Sequence, residues 1–585
     1  MILALEFLRR NFEDVLHKEK ISIGLWVGEG ASPNNIKDAD EIVQRAFGGN
    51  WENAHQHTSR LQLTACPWCG IKLAPKTGEA EWAKGHGYEC QSGTHGYFYF
   101  KCVNNKCAFH TSKLPIQVVD EMLYKQPPTL LFATVDKFAI LASQKEGETH
   151  KFFNSFSDAL PPDLIIQDEL HLISGPLGSI VGIFESVVDY LCTKGNHSPK
   201  IISSTATTRN TSHQISELYA GKQVNIFPPS GISYNDSFFA KETVSKRKYV
   251  GFLPTGKTGI NTQLWILPYL LYTRIKLYNE NELSTLDLYW TIVSYYNSLK
   301  DVGKIYNKTN DEIQINTNVL FYRNFGNNSV LRYLIRDIDS RSLELTSRIE
   351  SNNIKATLKR LEDVFATETS EKENEYVKDG LDLVLASNMI SVGIDVSRLN
   401  VMLVNGMPRN IAEYIQASSR VGRRHDGIVF TLFNPNQARD KSYFENFNSF
   451  HQAYYKFVEP LSVTPFTENT IRKMLTTIFI AFMRNSVSGL TKNSDAKYFI
   501  PEMADGFKEY ITQRFGNSDY LNTLLDDLIK SWTVKKTRIN NLTYSTLLKK
   551  TSTDVNPFEE IWLTMNSLRD IDTETYYRIN DLATN

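Results

Sequence analysis

No apolar run in this 585-residue sequence approaches about 18 residues, so no ordinary membrane-spanning helix is encoded. The opening Met1-Ile-Leu-Ala-Leu-Glu-Phe-Leu-Arg-Arg10 puts its positive charges after the apolar stretch, and no small-residue cleavage site follows. It reads as an amphipathic helix and not as a secretion signal. Charge of one sign is also missing. Net charge is −1, so any nucleic-acid contact has to come from a local basic patch. Tandem repeats and low-complexity tracts are absent. Cysteine is scarce, with six in all, yet five fall between Cys66 and Cys107. In a chain this large, such crowding points to a metal site in a reducing, cytoplasmic compartment over a disulfide framework. What remains is ordinary globular composition, 41% hydrophobic and 22% charged, enough for three or four domains.

The chain is organised around Leu164-Ile-Ile-Gln-Asp-Glu-Leu-His171. Its apolar residues read as the end of a short buried strand, followed by Asp168 and Glu169. Carboxylates at the carboxyl end of a parallel strand face the crevice in which open α/β sheets bind ligands. Hydrolysis of a nucleoside triphosphate needs such a pair. One carboxylate holds Mg2+ against the phosphate oxygens and the other orients or deprotonates the attacking water. An exposed acidic turn would have the same spelling, so the segment alone does not decide.

Upstream, Ile21 to Val27 reads as a buried strand and Asn34 to Phe47 as a helix. Cys66-Pro-Trp-Cys69-Gly70 and Cys102-Val-Asn-Asn-Lys-Cys107 are two thiolate knuckles flanking a strand at Tyr97 to Lys101. Four thiolates make a closed tetrahedral Zn2+ site of the ribbon type, structural because no position stays open. Cys90, His95 and His110 read as bystanders. Pro127 to Ile140 reads as a strand, a turn and a helix start, with Thr134 or Asp136 as its cap and with room for a nucleic-acid phosphate. Ile173 to Leu191 reads as a helix. Ile201 to Thr208 is a strand running into Thr205-Ala-Thr207.

Gly251-Phe-Leu-Pro-Thr-Gly256-Lys257-Thr258 spells the phosphate-loop pattern G-x4-G-K-T. It lies downstream of the carboxylate pair, whereas the loop of a RecA-like core comes first in the chain. The preferred reading is a strand-to-helix junction entering a second domain; a working phosphate loop here is the alternative. A second α/β unit then runs from 260 to 435. Its strands are expected at Tyr289 to Tyr296, Leu343 to Ser347, Leu381 to Leu385, Asn400 to Val404 and Gly427 to Phe433. A helix is expected from Ile411 to Val421, with Arg420 and Arg423 three apart on one face, suited to reaching a triphosphate. Residues 436 to 585 read as mainly helical, with Leu475 to Phe482 buried.

The segments Asp168-Glu-Leu-His171, Thr205-Ala-Thr207, Tyr295-Tyr-Asn-Ser298, Ser391-Val-Gly-Ile-Asp395 and Gln416-x3-Arg420-x2-Arg423 occur in the order of motifs two to six of superfamily-two helicases. IGLWVG (23–28), CPWCG (66–70), TVDKFA (134–139), QDELHLISGPLG (167–178), IQASSRVGR (415–423) and HQAYYKFVEPLSVTPF (451–466) resemble more closely the DrmA-type helicase-like subunits of DISARM anti-phage systems. The resemblance covers most of the chain, to about Arg569. It departs at Ser419, where generic helicases carry Gly, and in the lack of a phosphate loop before residue 168.

The resemblance implies two RecA-like parallel-sheet α/β domains. The first, at 1–58 and 113–228, would be incomplete and interrupted by a zinc ribbon at 59–112. A linker at 229–259, a second domain at 260–435 and a helical region at 436–585 would follow. It implies ATP-driven action on DNA, a partner subunit of the DrmB type, and an upstream piece carrying the phosphate loop. By the same resemblance Asp168 holds Mg2+ and Glu169 positions water. His171 and Gln416 couple nucleotide to the domain interface. Gly393, Asp395, Arg420 and Arg423 contact nucleotide, and Thr134, Lys137, Thr346 and Asn388 contact the DNA backbone. The alternative is a non-catalytic DNA-binding or scaffold subunit that keeps the fold without hydrolysis.

Overall fold

The computed structural model describes residues 1–49, 51–205, 209–219, 222–229, 231, 232, 236, 239, 241, 247–278, 283–327, 334, 335, 337–349, 351–363, 380–391, 396–516, 518–550, 561–565 and 568. The chain forms two units. Unit 1 comprises 1–205, 210–225 and 461–585; unit 2 comprises 206–209 and 226–460.

Unit 1 is built on short parallel strands. β1 (Ile23–Trp26), β2 (Tyr88–Gln91), β3 (Tyr97–Phe100), β4 (Ile116–Gln117), β5 (Leu130–Ala133), β6 (Leu164–Gln167) and β7 (Lys200–Ser203) follow in chain order. β1 lies between β4 and β5, parallel to both, while β2 and β3 form an antiparallel hairpin. β6 and β7 pair in parallel with Leu164 opposite Lys200. The ladder runs on past the strand ends: the Ser204 N–H donates to the Gln167 carbonyl and the Leu170 N–H to the Ser204 carbonyl, both at 2.9 Å.

The helix Gly175–Leu191 connects β6 to β7, with proline in its first turn, where no backbone donor is needed. Ile180, Ile183, Phe184 and Val187 bury its apolar face with the helix Glu468–Ser486 in one core. Gly178 and Gly182 make the approach possible. A Cβ on either would stand 3.0 Å from Val463 Cγ2 or Pro465 Cβ. The Gly175 N–H donates to the Ser462 carbonyl at 2.8 Å, and Ser179 and Thr464 share a hydroxyl bond of 3.1 Å. This corrects the expected helical region at 436–585. Residues 461–585 fold into unit 1, because their helix Glu468–Ser486 packs into the same core as Gly175–Leu191, whereas 436–460 stay with unit 2.

Unit 2 holds a six-stranded parallel sheet. Its strands are β8 (Arg247–Phe252), β9 (Ile292–Tyr296), β10 (Ser342–Leu345), β11 (Leu383–Ala386), β12 (Val401–Asn405) and β13 (Gly427–Leu432). Their spatial order is β10-β11-β9-β12-β13-β8. β9 and β11 are buried at every position, as strands covered on both faces must be, and in β9 this includes Ser294, whose hydroxyl donates to Tyr296 at 2.9 Å. β8 falls within the stretch expected to be a linker at 229–259. It forms the edge of the sheet, with Arg247 opposite Gly427. Beneath the sheet, Arg274 and Asp382 form a buried ion pair at 2.8 Å, and the Trp290 indole donates to the same carboxylate oxygen at 2.7 Å.

Candidate functional site

Asp168 and Glu169 leave the carboxyl end of β6, where the parallel ladder delivers them beside the end of β7. Glu169 sits in the left-handed region at φ 53°, a conformation uncommon for a non-glycine residue and one that turns the chain sharply at the carboxylate pair. The turn is fixed from both sides. The Glu169 N–H donates to Asp168 Oδ1 at 3.0 Å, and the Ser204 hydroxyl donates to the same oxygen. His171 is buried, and its Nδ1 lies 3.3 Å from Glu169 Oε2, while the glutamate reaches solvent. The result is two outward-facing carboxylates, each steadied by a neighbour. Such a pair can take a divalent cation through Asp168 and a water through Glu169. Ser204 was not singled out from the sequence. It stands just before Thr205-Ala-Thr207, and only pairing of β6 with β7 reveals its bond to Asp168.

At the end of β5, Thr134 is exposed, and the backbone turns into a 3-10 run (Val135–Leu141) with no side-chain cap bond from Thr134. Lys137 is corrected here. Its side chain is 10% exposed and pairs with the buried Asp120 at 2.6 Å, with Asn34 Oδ1 at 3.2 Å, so it braces the interior and offers nothing to a DNA phosphate. The carboxyl of Asp120 is pushed up to about 6, burial outweighing the nearby lysine.

In unit 2 the expected residues do not share one strand end: Arg420 and Arg423 flank Gly422, which packs against Arg247 and Gly427, the first residues of β8 and β13. Asn388 is exposed just after β11, in a turn of 3-10 helix (Asn388–Ser391). Arg420 donates to the Ser391 carbonyl, which ties the segment after β11 to the segment carrying Gln416. Gly393 and Asp395 lie outside the described residues, as does Thr207. Asn297 donates to the carbonyls of Asn405, Gly406 and Met407 at 3.2 to 3.3 Å, locking the ends of β9 and β12 together.

Two expectations change in unit 2. The helix expected to reach Val421 ends at Ser418, so Arg420 and Arg423 do not share a helical face. Gly422 causes the break. It adopts φ 68°, and a Cβ there would meet Arg247 Cγ at 2.6 Å and Gly427 Cα at 3.1 Å. Arg423 Nε instead donates back to the Ser419 carbonyl at 3.3 Å. Thr346, for its part, is fully buried, with its hydroxyl given to Glu344 at 2.6 Å. It anchors the end of β10 from inside and is not displayed to a nucleic acid.

Lys257 and its glycines do follow a strand and precede a helix, Gly259–Tyr278, whose first turn is held by Thr258 Oγ1 accepting from the Asn261 N–H at 3.2 Å. The strand before them is β8, a member of the unit 2 sheet.

The four cysteines meet as their spacing requires. The sulfurs of Cys66, Cys69, Cys102 and Cys107 lie within 4.8 Å of one another. The backbone N–H groups of Asn104 and Phe109 point at the sulfurs of Cys102 and Cys107, 3.5 Å away in each case, the bonds that a thiolate accepts. Burial disfavours the Cys69 thiolate, but donors from the Ile71 N–H and Asn104, and its neighbouring thiols, outweigh it and hold the group near about 7. The set fits a tetrahedral cation with sulfur ligands. His110 turns its ring to the Cys102 carbonyl at 3.0 Å, and Cys90 lies against the Ile36 carbonyl, 3.7 Å away.

Residues 311–425 match the helicase conserved C-terminal domain. The chain is 32% identical over 588 aligned positions to the DISARM protein DrmA of Bacillus paralicheniformis, covering 93% of this chain and 50% of that protein. It therefore spans half the length of this relative. Among solved structures, the helicase MrfA bound to DNA and AMPPNP is 13% identical with a TM-score of 0.41, over 81% of this chain and 49% of that one. Lhr of Mycobacterium smegmatis bound to single-stranded DNA and AMP-PNP is 12% identical with a TM-score of 0.40, over 83% and 50%. The chain is a helicase-family homologue of the DISARM protein DrmA.

Proposed function

We propose that this chain is the part of an ATP-dependent DNA helicase or translocase that carries the magnesium-binding and water-activating carboxylates, working within a DISARM-like phage-restriction system. The arrangement of Asp168 and Glu169 at the end of β6 supports this most directly. Mg-ATP bound there supplies a phosphoanhydride with its charge partly neutralised by the cation. Asp168, held by Ser204, takes the cation. Glu169, steadied by His171, accepts a proton from the attacking water. Gln416, Arg420 and Arg423, together with Gly393 and Asp395, serve the nucleotide from unit 2, and Thr134 and Asn388 contact the DNA backbone. The four cysteines hold a structural zinc ion. A subunit of the DrmB type is the expected partner, and the lysine that cradles the phosphates comes from outside these 585 residues.

The test is Glu169→Gln in the assembled enzyme. DNA-stimulated ATP hydrolysis should fall by about 100-fold or more while ATP binding is retained. Full turnover in this variant would remove Glu169 from the reaction. Nucleotide binding that persists without turnover in the unaltered assembly would make the chain a non-catalytic DNA-binding subunit.

A further inference from the structure

With a net charge of −1, any basic surface in this chain has to be assembled locally by the fold. The hairpin β2–β3 assembles one. Successive strand residues face opposite ways. On β3, Phe98 and Phe100 are fully buried in the small core that includes the cysteines. Tyr97 and Tyr99, half-buried, share the other face, and Lys101 continues it one residue past the strand. The two tyrosine rings stack, 5.6 Å between centroids and 25° between planes. Lys113 stands across from Lys101 in an antiparallel bridge, and its ammonium lies 4.2 Å from the centre of the Tyr99 ring. At the other end of β3, Lys125 donates to the Gly96 carbonyl at 3.4 Å. One strand face thus sets two aromatic rings in a row between lysines. Lys101 is paired with Glu89 and Lys125 with Glu121, whereas among the described residues Lys113 has no carboxylate partner. The Lys20 ammonium is held below its ordinary range, by burial first, with Glu6 opposing and the like charges of Arg10 and Lys113 adding to it. An anion at this end of the face relieves that repulsion.

We propose that the Tyr97–Tyr99 face of this hairpin binds single-stranded DNA, with bases stacked on the tyrosine rings and backbone phosphates on Lys113, Lys101 and Lys20. Aromatic rings interleaved with lysines are what an unpaired strand needs, because every base has a π face and every link a negative charge. Alternate strand residues stand about 6.8 Å apart, two rises of about 3.4 Å. An extended single strand with its bases unstacked follows that step. A duplex does not, since its bases already stack on one another. Glu89 holds Lys101 back from the phosphates and so sets the affinity of the free surface. Binding here is independent of base sequence, because no side chain of the face is placed to read a base edge. The surface involves neither Asp168 nor Glu169, and it stands or falls apart from the nucleotide reading.

The probe is an oligothymidylate of about 20 nucleotides carrying 5-iodouracil, long enough to span such a surface. It is mixed with the full chain in the absence of nucleotide and irradiated at long wavelength. Peptide mass spectrometry should find the crosslink at Tyr97 or Tyr99. The double variant Tyr97→Ala, Tyr99→Ala should weaken binding by at least about tenfold, while Tyr97→Phe, Tyr99→Phe keeps it, because the ring stacks and the hydroxyl does not. Lys113→Gln should weaken binding and flatten its dependence on salt. Glu89→Gln releases Lys101 and should tighten binding, a gain that damage to the fold does not produce. Crosslinks confined to other parts of the chain overturn the proposal, as does unchanged affinity in the alanine variant, which would leave the tyrosines to a protein contact. A duplex of the same length that competes as well as the single strand also overturns it. Tighter binding of oligouridylate than of oligothymidylate would assign the surface to RNA and overturn the assignment to DNA. Binding with these properties in a chain whose Glu169→Gln variant keeps full turnover retains the surface and removes only the nucleotide reading.

Discussion

His171 Nδ1 stands 3.3 Å from Oε2 of Glu169, with the imidazole buried and the carboxylate reaching solvent. The buried partner fixes the rotamer of the exposed one. Replacing His171 by Ala should leave ATP affinity nearly unchanged and lower the turnover of the assembled enzyme by about tenfold, since the carboxylate loses orientation and not charge. Steady-state kinetics separate the two. A change confined to KM would place His171 in binding and not in positioning.

The cysteine cluster makes a stoichiometric prediction. One zinc per chain should be found by elemental analysis, and Cys66→Ser should abolish it. Because Phe98, Phe100, Phe109 and Leu114 form a small core with the cysteines themselves, metal loss should also melt the hairpin β2–β3. Proteolysis between residues 59 and 114 reads this out. A chain purified without zinc that keeps this region resistant would refute the metal assignment.

Arg274, Asp382 and Trp290 form a buried polar triad in unit 2. Removing one member strands the others without water. Asp382→Ala should destabilise unit 2 by about 3–5 kcal/mol, the cost of an uncompensated buried charge. The paired replacement of Arg274 by Met and Asp382 by Leu should recover much of that loss. Denaturant unfolding of the variants tests both, and equal loss in the single and double variants would show that the pair is not coupled.

Glu185, on the helix Gly175–Leu191, has its carboxyl pushed up to about 7, burial first and Asp189 adding to it against Arg514 and Lys222. Its folded value lies above the unfolded one, so the folded state holds the proton more tightly. Stability is therefore greatest below about pH 4.5 as far as this group is concerned, and falls as pH rises toward 7. Glu185→Gln should flatten that slope and stabilise the chain at pH 8 by on the order of 2 kcal/mol. Unfolding midpoints at pH 5 and pH 8 check the sign.

The strand and helix periods, the cysteine knuckles and the Asp168-Glu169 strand end were legible from sequence because each is local. Apolar runs define buried strands, thiolate spacing defines a knuckle, and a carboxylate pair after an apolar run marks a strand end. The second α/β unit was expected at 260–435, whereas the compact unit runs from Ile226 to Pro460 and takes in β8. Arg420 and Arg423 were misplaced because a helical pattern runs through them, and only the left-handed Gly422, pressed against Arg247 and Gly427, shows why the helix stops early. Lys137 reads as an exposed cation until Asp120 is seen beside it.

By itself, then, the sequence determined most of the strands and helices and the cysteine knuckles, since these depend on residue type and spacing along the chain. Tertiary structure alone decided what depends on distant partners. It brought Ser204 to Asp168, joined the 461–585 helices to the first unit through the glycines at 178 and 182, and turned Lys137 and Thr346 inward. It also left one face of β5, β6 and β7 bare, a property of packing that no local pattern encodes, because an apolar strand residue reads the same whether or not anything covers it.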